Sequence, residues 1–115
     1  MAILKVFRGR HQAASAAAEA FEFAEAGTIL LLVDECAGFG AFTLDASVAV
    51  NVVVEESPLK VALAEGDAFT AGDFPFELVN EAATTAQAVK LQDLAGRSYA
   101  VTVTGACTVT MLVAK

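Results

Sequence analysis

The sequence has 115 residues, a formal net charge of −7, and a hydrophobic content of 57%. This length allows one domain built around one core. Much of the hydrophobic content comes from 25 alanines and 14 valines, and the longest aliphatic run is only Ile29 to Val33. A membrane-spanning helix needs about 18 consecutive apolar residues, so no such helix and no membrane partner are expected. The apolar fraction also excludes a disordered chain.

Residues 1–12 are predicted to form a basic N-terminal arm or an edge strand. Lys5, Arg8 and Arg10 all precede the first acidic residue, Glu19, and the rest of the chain is strongly acidic. The apolar stretch at the start is short and has its charges inside and after it, which is the wrong order for a signal peptide. So few bases in an acidic chain also exclude a nucleic-acid partner, because phosphate binding needs clustered Lys and Arg.

The segment from Gln12 to Ala26 allows two interpretations. Its alanine-rich composition favours a helix ending at Gly27. However, Phe21 and Phe23 would lie about 160° apart on a helix, whereas in a strand they share one face. A short helix and a strand both remain open.

Period-two patterns dominate the rest of the chain and predict strands. Ile29 to Val33 lacks alternation, which is typical of a strand covered on both faces. The clearest alternations run from Phe42 to Glu55 and from Tyr99 to Val113. Further short strands are predicted at 2–7, 59–63, 74–78 and 88–91, with Pro75 marking an edge strand.

The alternation that begins at Tyr99 is too long for one straight strand, so the chain must bend or reverse at Gly105. A hairpin with an odd-length loop keeps one face apolar by pairing Val103 with Val109. Together these patterns predict a mainly β fold in which residues 1–115 form a single domain. The expected architecture is an antiparallel β-sandwich or small barrel, with at most one short N-terminal helix.

No motif in the sequence predicts catalysis, a metal site or a cofactor. The single histidine, His11, lies beside arginines, and no serine stands in a Gly-x-Ser-x-Gly motif. Cys36 and Cys107 are too far apart in sequence for a zinc or redox motif, and two buried thiols are expected. The acidic pairs, such as Glu55 and Glu56, are interpreted as solvated turns, and the chain is expected not to be an enzyme.

The apolar surplus instead predicts association. With glycine included, roughly 63% of the residues are apolar, against about 45–50% in an average globular domain. A small domain cannot bury all of this surface, and we therefore expect self-association. The candidate partner-binding residues are those of the basic arm together with one aromatic side chain in a glycine-containing loop: Lys5, Phe7, Arg8, Arg10, His11 and Phe39.

The C-terminal run of residues 99–111, Tyr-Ala-Val-Thr-Val-Thr-Gly-Ala-Cys-Thr-Val-Thr-Met, belongs to a short, acidic chain rich in Ala, Val and Thr. In length, charge and composition the chain resembles the small virion proteins of tailed bacteriophages, especially capsid decoration or cement proteins. The resemblance implies a non-catalytic structural protein, of a class that is commonly trimeric, that is made in the host cytoplasm and binds the major capsid protein or another virion protein at the capsid surface. It places the contact in the N-terminal segment, at the five arm residues already named.

Two alternatives remain from the sequence. One is a phage tail or fibre component. The other is a small ligand- or carbohydrate-binding β-sandwich, although a chain with one Tyr and no Trp offers few aromatic platforms for sugars.

Overall fold

The computed structural model describes residues 2–10, 17–35, 39–92 and 96–114. They contain seven strands and one turn of 3-10 helix at Ala71–Asp73. In chain order the strands are β1 (Ile3–Arg10), β2 (Ala17–Phe23), β3 (Gly27–Glu35), β4 (Phe39–Ser57), β5 (Phe76–Gln92), β6 (Ser98–Val103) and β7 (Cys107–Ala114). The predicted mainly β fold is therefore confirmed, and the sheet is a small, nearly closed barrel.

The barrel is built from long strands that bend in the middle. β4 has 19 residues, which would extend about 60 Å if straight. The whole molecule measures only 37 Å along its longest axis. One end of β4 pairs with β7 and the other with β6, while β5 runs antiparallel along the opposite edge. β2 and β3 continue the sheet beyond β7 and β6, and β1 adds to β3 in parallel.

The predicted hairpin between β6 and β7 is wrong, because the chain bends at Gly105 and does not reverse. Val103 pairs with Val52 and Val109 pairs with Leu44, so β6 and β7 lie end to end along β4. A Cβ atom on Gly105 would lie 3.1 Å from Val50 Cγ1, and this close approach favours glycine at the bend. Three residues, 104–106, separate β6 from β7, and this odd number keeps the apolar residues of both strands on one face. The predicted hairpin would have had the same effect.

Asn51 connects the bends of neighbouring strands. Its side-chain Oδ1 accepts a hydrogen bond from the N–H of Ala83 (3.0 Å), in the middle of β5. Its backbone N–H donates to Thr104 Oγ1 (2.8 Å), and its carbonyl oxygen accepts the Thr104 N–H (3.1 Å). Ala83 has φ of 54°, a left-handed conformation that is unfavourable for any residue with a Cβ atom.

We expect Ala83→Gly to raise the free energy of unfolding by about 1 kcal/mol, because glycine adopts positive φ without steric cost. The matched control is Ala82→Gly, at the preceding exposed position of the same strand. There glycine adds only unfolded-state entropy and should lower stability by about 0.5–1 kcal/mol. Urea denaturation of both variants checks the prediction. Changes of the same sign at the two positions would contradict the strained conformation of Ala83.

The main core lies inside the barrel and contains most apolar positions of the predicted alternations; Val48, at the bend of β4, is exposed instead. Phe42, Leu44 and Val52 of β4 and Val101 and Val109 of the C-terminal strands are all buried there. The two alternations are therefore confirmed as strands with one buried face. β4 ends at Ser57, immediately before Pro58, as the sequence predicts.

A second apolar layer covers the outer face of the sheet at β3 and β6. Residues 58–75 cross this face, and their Phe74, Val61 and Leu63 pack against Leu30 and Leu32. β3 is therefore covered on both faces, which confirms the interpretation of its non-alternating run. The strand predicted at 59–63 is wrong, because this segment contributes side chains to a layer above the sheet and pairs with no strand edge.

Residues 17–23 form β2, so the strand interpretation of the ambiguous segment is correct over this range. Phe21 and Phe23 lie in edge-to-face contact, with ring centroids 4.9 Å apart, and Phe23 is buried in the main core. Pairing with β7 and burial of these rings outweigh the helix propensity of the alanines. The remaining part of the segment, 12–16, lies outside the described residues.

Candidate functional site

The structure places the predicted arm residues in different environments. Lys5 Nζ lies 3.7 Å from Glu65 Oε1 and 5.7 Å from the centroid of the Phe7 ring. Phe7 is only 5% exposed and belongs to the main core, where it contacts Phe21 edge to face. Its side chain therefore presents almost no surface to a partner.

Arg8 is exposed and lines a cleft of about 410 Å³ beneath the segment 58–75, together with Lys60 and Asp67. Arg10 ends β1 and Phe39 begins β4, so the backbone of both lies in the sheet. His11 and Cys36 lie outside the described residues. The assignment of these positions to a partner site is not tested by the structure and stays a prediction.

Cys107 lies beside a second cleft, of about 340 Å³, at the bend of the barrel. Burial raises the pKa of this thiol, which keeps it protonated and poorly nucleophilic. Glu22 and Asp45 flank Thr108 across three adjacent strands of the same cleft. No group of three or more His, Cys, Asp or Glu side chains within the described ranges is arranged to hold a metal ion. The described chain also contains no helix long and apolar enough to cross a membrane.

The first half of β5 presents an unexpected apolar surface. Phe76 is 52% exposed and Leu78 is 40% exposed, although their alternation with Glu77 predicted a buried face. We refer to residues 76–82 as the β5 head. Leu78 is the extra residue of a bulge, since Glu77 pairs with Glu55 and Val79 pairs with Val54. Bulges re-aim side chains and are frequent at sheet edges and functional sites.

Acidic groups surround these two apolar side chains. Glu77 lies directly opposite Glu55 on β4, and Glu81 is exposed farther along the β5 head. The pKa of Glu55 is raised, first because partial burial disfavours its charged form and second because of the neighbouring negative charge of Glu77. The adjacent Glu56 is neutralised by Arg97, whose Nη1 lies 2.9 Å from its Oε1. The β5 head thus combines exposed apolar surface with negative charge.

A raised pKa at Glu55 predicts a specific dependence of stability on pH. The folded protein holds this proton more tightly than the unfolded chain, whose carboxyl has the ordinary value of 4.5. The contribution of Glu55 to stability is therefore present below pH 4.5 and is lost as the pH rises through the raised value. We expect Glu55→Gln to remove this decline and to be more stable than the wild type at pH 7, as measured by thermal unfolding across the pH range.

The conservative variant Glu77→Gln is the control for this titration, because it removes only the second cause of the shift. It should reduce the decline without abolishing it. Identical pH profiles for the wild type and Glu55→Gln would show that Glu55 titrates normally.

Comparison with known proteins gives little further information. No family model matches the chain, and no curated protein matches it significantly. Among solved structures, the chain is similar to the crystal structure of Aeromonas hydrophila PliG, a periplasmic lysozyme inhibitor of g-type lysozyme. The two are 15% identical, with a TM-score of 0.42, over 95% of this chain and 96% of that chain. Neither an inhibitory activity nor a location follows for this chain from so distant a likeness.

These findings correct three expectations drawn from the sequence. The comparisons point to no virion protein, and the similar structure is that of a periplasmic protein. The identification with phage decoration proteins is wrong. The expected partners, namely a second copy of the chain, the major capsid protein or another virion protein, and the expected virion location are wrong with it. A decoration function itself is not tested by these observations and stays a prediction of the sequence alone.

The sequence reasoning missed the β5 head because it treated Phe76 and Leu78 as ordinary members of a buried strand face. Pro75 did indicate an edge strand, and among described residues β5 pairs only with β4. An apolar pair that alternates with glutamate on an edge strand was the signal available for an exposed binding surface.

Proposed function

We propose that this chain is a non-catalytic binding module that holds a protein partner with a basic surface through the β5 head. The observation that carries the proposal is the exposure of Phe76 and Leu78 beside Glu55 and Glu77. Large apolar side chains exposed together on a small domain commonly mark a protein contact, and aromatic groups are enriched in such contacts.

The charges support a basic partner over an acidic or neutral one. The chain carries 14 acidic residues against seven Lys and Arg. At the β5 head, Glu55 and Glu77 lie opposite each other, and a Lys or Arg side chain of a partner would relieve their repulsion. Charge complementarity of this kind steers association and selects among partners.

A binding role also fits the remaining chemistry of the described residues. The described thiol is held protonated by its burial, and the chain's single tyrosine, Tyr99, is buried in the core. Neither offers a nucleophile or a sugar-stacking platform at the surface. The exposed groups of the β5 head are suited to contact and neutralise another protein's surface.

The experiment compares immobilised wild type with a Phe76→Ser/Leu78→Ser double variant as baits for proteins of the source cells, quantified by mass spectrometry. We expect the wild type to retain basic proteins that elute at high salt and that the double variant does not retain. Val48→Ser is the matched control, because Val48 is 73% exposed but lies at the bend of β4. It should retain the same proteins as the wild type.

Each variant changes side chains that are at least 40% exposed, so its thermal unfolding should stay close to that of the wild type. Retention that is equal for all three baits, or retention of mainly acidic proteins, would contradict the proposal.

A further inference from the structure

The barrel has edges, and the structure shows how one of them is covered. The start of the outer edge of β1 is occupied by residues 65–68, since the Ile3 N–H donates to the Asp67 carbonyl (2.8 Å) and the Gly66 N–H donates to the Ile3 carbonyl (2.8 Å). Ala2 and Ala68 form an additional bridge. β5, in contrast, has no strand on its outer edge within the described ranges. Such an edge can add a strand from another chain.

Two features limit the available edge to the β5 head. Pro75 precedes it and has no backbone N–H to donate. At the other end, Ala83 interrupts the extended backbone with its positive φ. Beyond it, the Thr84 hydroxyl donates to the Ala86 carbonyl (2.7 Å) and accepts the Ala86 N–H (3.2 Å), which occupies backbone groups of Ala86. The seven residues between these limits span about 23 Å, the length of an ordinary strand.

The proposed function indicates the chemistry of the strand that would add to this edge. Resting on that function, we infer that the partner binds through an extended basic segment, which adds to the sheet as a new strand along residues 76–82. Main-chain hydrogen bonds to β5 would hold the segment, and Phe76 and Leu78 would cover its apolar side chains. Lys or Arg residues of the segment would contact Glu77 and Glu81.

The two glutamates lie on opposite faces of the strand. Glu81 pairs with Val52, whose side chain points into the core, whereas Glu77 pairs with Glu55 on the outer face. Basic residues three positions apart in an extended segment also point to opposite faces, as Glu55 and Val52 do on β4, so such a segment can contact both carboxylates. A second copy of the chain is a poor occupant, because pairing two β5 heads would place acidic residues near acidic residues.

The probe is an acetylated and amidated heptapeptide of valine with lysine at positions 2 and 5, which puts one lysine on each face of the extended peptide, titrated into the full chain at low salt. We expect saturable binding, weakened by salt, with slower amide hydrogen exchange in residues 77–82. The negative probe has the same lysines with proline in place of valine, which preserves the charge and prevents strand pairing. It should not slow exchange in this segment.

Two charge variants test the site. Glu77→Lys should weaken binding of the valine-lysine peptide by about tenfold, as expected when a like charge replaces a complementary one. Glu25→Lys makes the same change of net charge in the exposed turn before β3, which is three strands away across the sheet. It should change the affinity less than about twofold, because the turn is remote and screened.

The possible failures separate this inference from the proposed function. Equal binding of the proline peptide would overturn strand addition and leave a basic partner in place. No binding of either peptide, alongside variant-dependent retention of basic proteins by the baits, would likewise overturn strand addition alone. Exchange in residues 77–82 that slows with protein concentration and without peptide would assign the edge to a second copy. Failure of both the peptide and the bait experiments would overturn the inference and the function together.

Discussion

Replacing Phe23 by alanine is expected to lower the free energy of unfolding by about 3–5 kcal/mol, the usual range for a fully buried phenylalanine. Its side chain is only 1% exposed and packs inside the barrel, where β2 pairs with β7. The substitution would leave a cavity that the surrounding strands, held in the sheet by their backbone hydrogen bonds, can fill only in part. Chemical denaturation monitored by circular dichroism measures the loss.

Two neighbours on the same strand provide the controls for Phe23→Ala. Phe21 is only partly buried against the core, so Phe21→Ala should cost clearly less. Glu22 is exposed between them, and Glu22→Ala should change stability by no more than about 0.5 kcal/mol. This order, with the largest loss at 23 and almost none at 22, is the signature of a strand. Comparable losses at 22 and 23 would contradict the packing of β2.

The sequence could predict where side chains alternate, because burial of one face leaves a period of two in the chain. Phe42, Leu44 and Val52 follow that rule and lie in the core. The unbroken run from Ile29 to Val33 was equally informative, since a strand that carries five apolar residues in succession must be covered on both faces. These patterns depend only on local geometry, and they were interpreted correctly.

What alternation could not show is which strands become neighbours. Val103 and Val109 occupy the apolar face whether the chain reverses at Gly105 or bends there, so both folds give the same pattern. The choice is made by β4, which is long enough to pair with β6 and β7 in succession. The paired residues of β4 lie 41 to 75 positions earlier in the chain, and no local signal identifies them.

Alternation also cannot distinguish a strand face that is buried in the core from a face that is exposed and available to a partner. Phe74, Phe76 and Leu78 form one apolar series in the sequence, yet Phe74 is 2% exposed while Phe76 and Leu78 project from the β5 head. The difference arises because residues 58–75 fold over the sheet and pack Phe74 against it, whereas Phe76 and Leu78 lie on β5, which among the described strands pairs only with β4. The candidate site is therefore a property of the three-dimensional fold.

The second large loss of stability is expected for Phe74→Ala, which removes the buried member of this apolar series. The Phe74 ring stacks on Phe69, with centroids 5.6 Å apart, and covers the outer side of the sheet near Leu30 and Leu32. Its removal should cost about 3 kcal/mol, because Phe74 is the most deeply buried side chain of the covering segment. Hydrogen bonds also hold this segment, among them one from the Val61 N–H to Ser98 Oγ (2.7 Å).

This loss should be confined largely to the outer layer, since the main core lies on the other side of the sheet. Limited proteolysis of Phe74→Ala is therefore expected to cut within 58–75 much faster than in the wild type, while hydrogen exchange in β4 and β6 stays slow. Phe76→Ala is the matched control, because its ring is 52% exposed and its loss should leave the segment protected. If Phe74→Ala instead weakened the inner strands and the outer segment together, the two layers would unfold as one unit, and the β5 head could not be altered independently of the barrel.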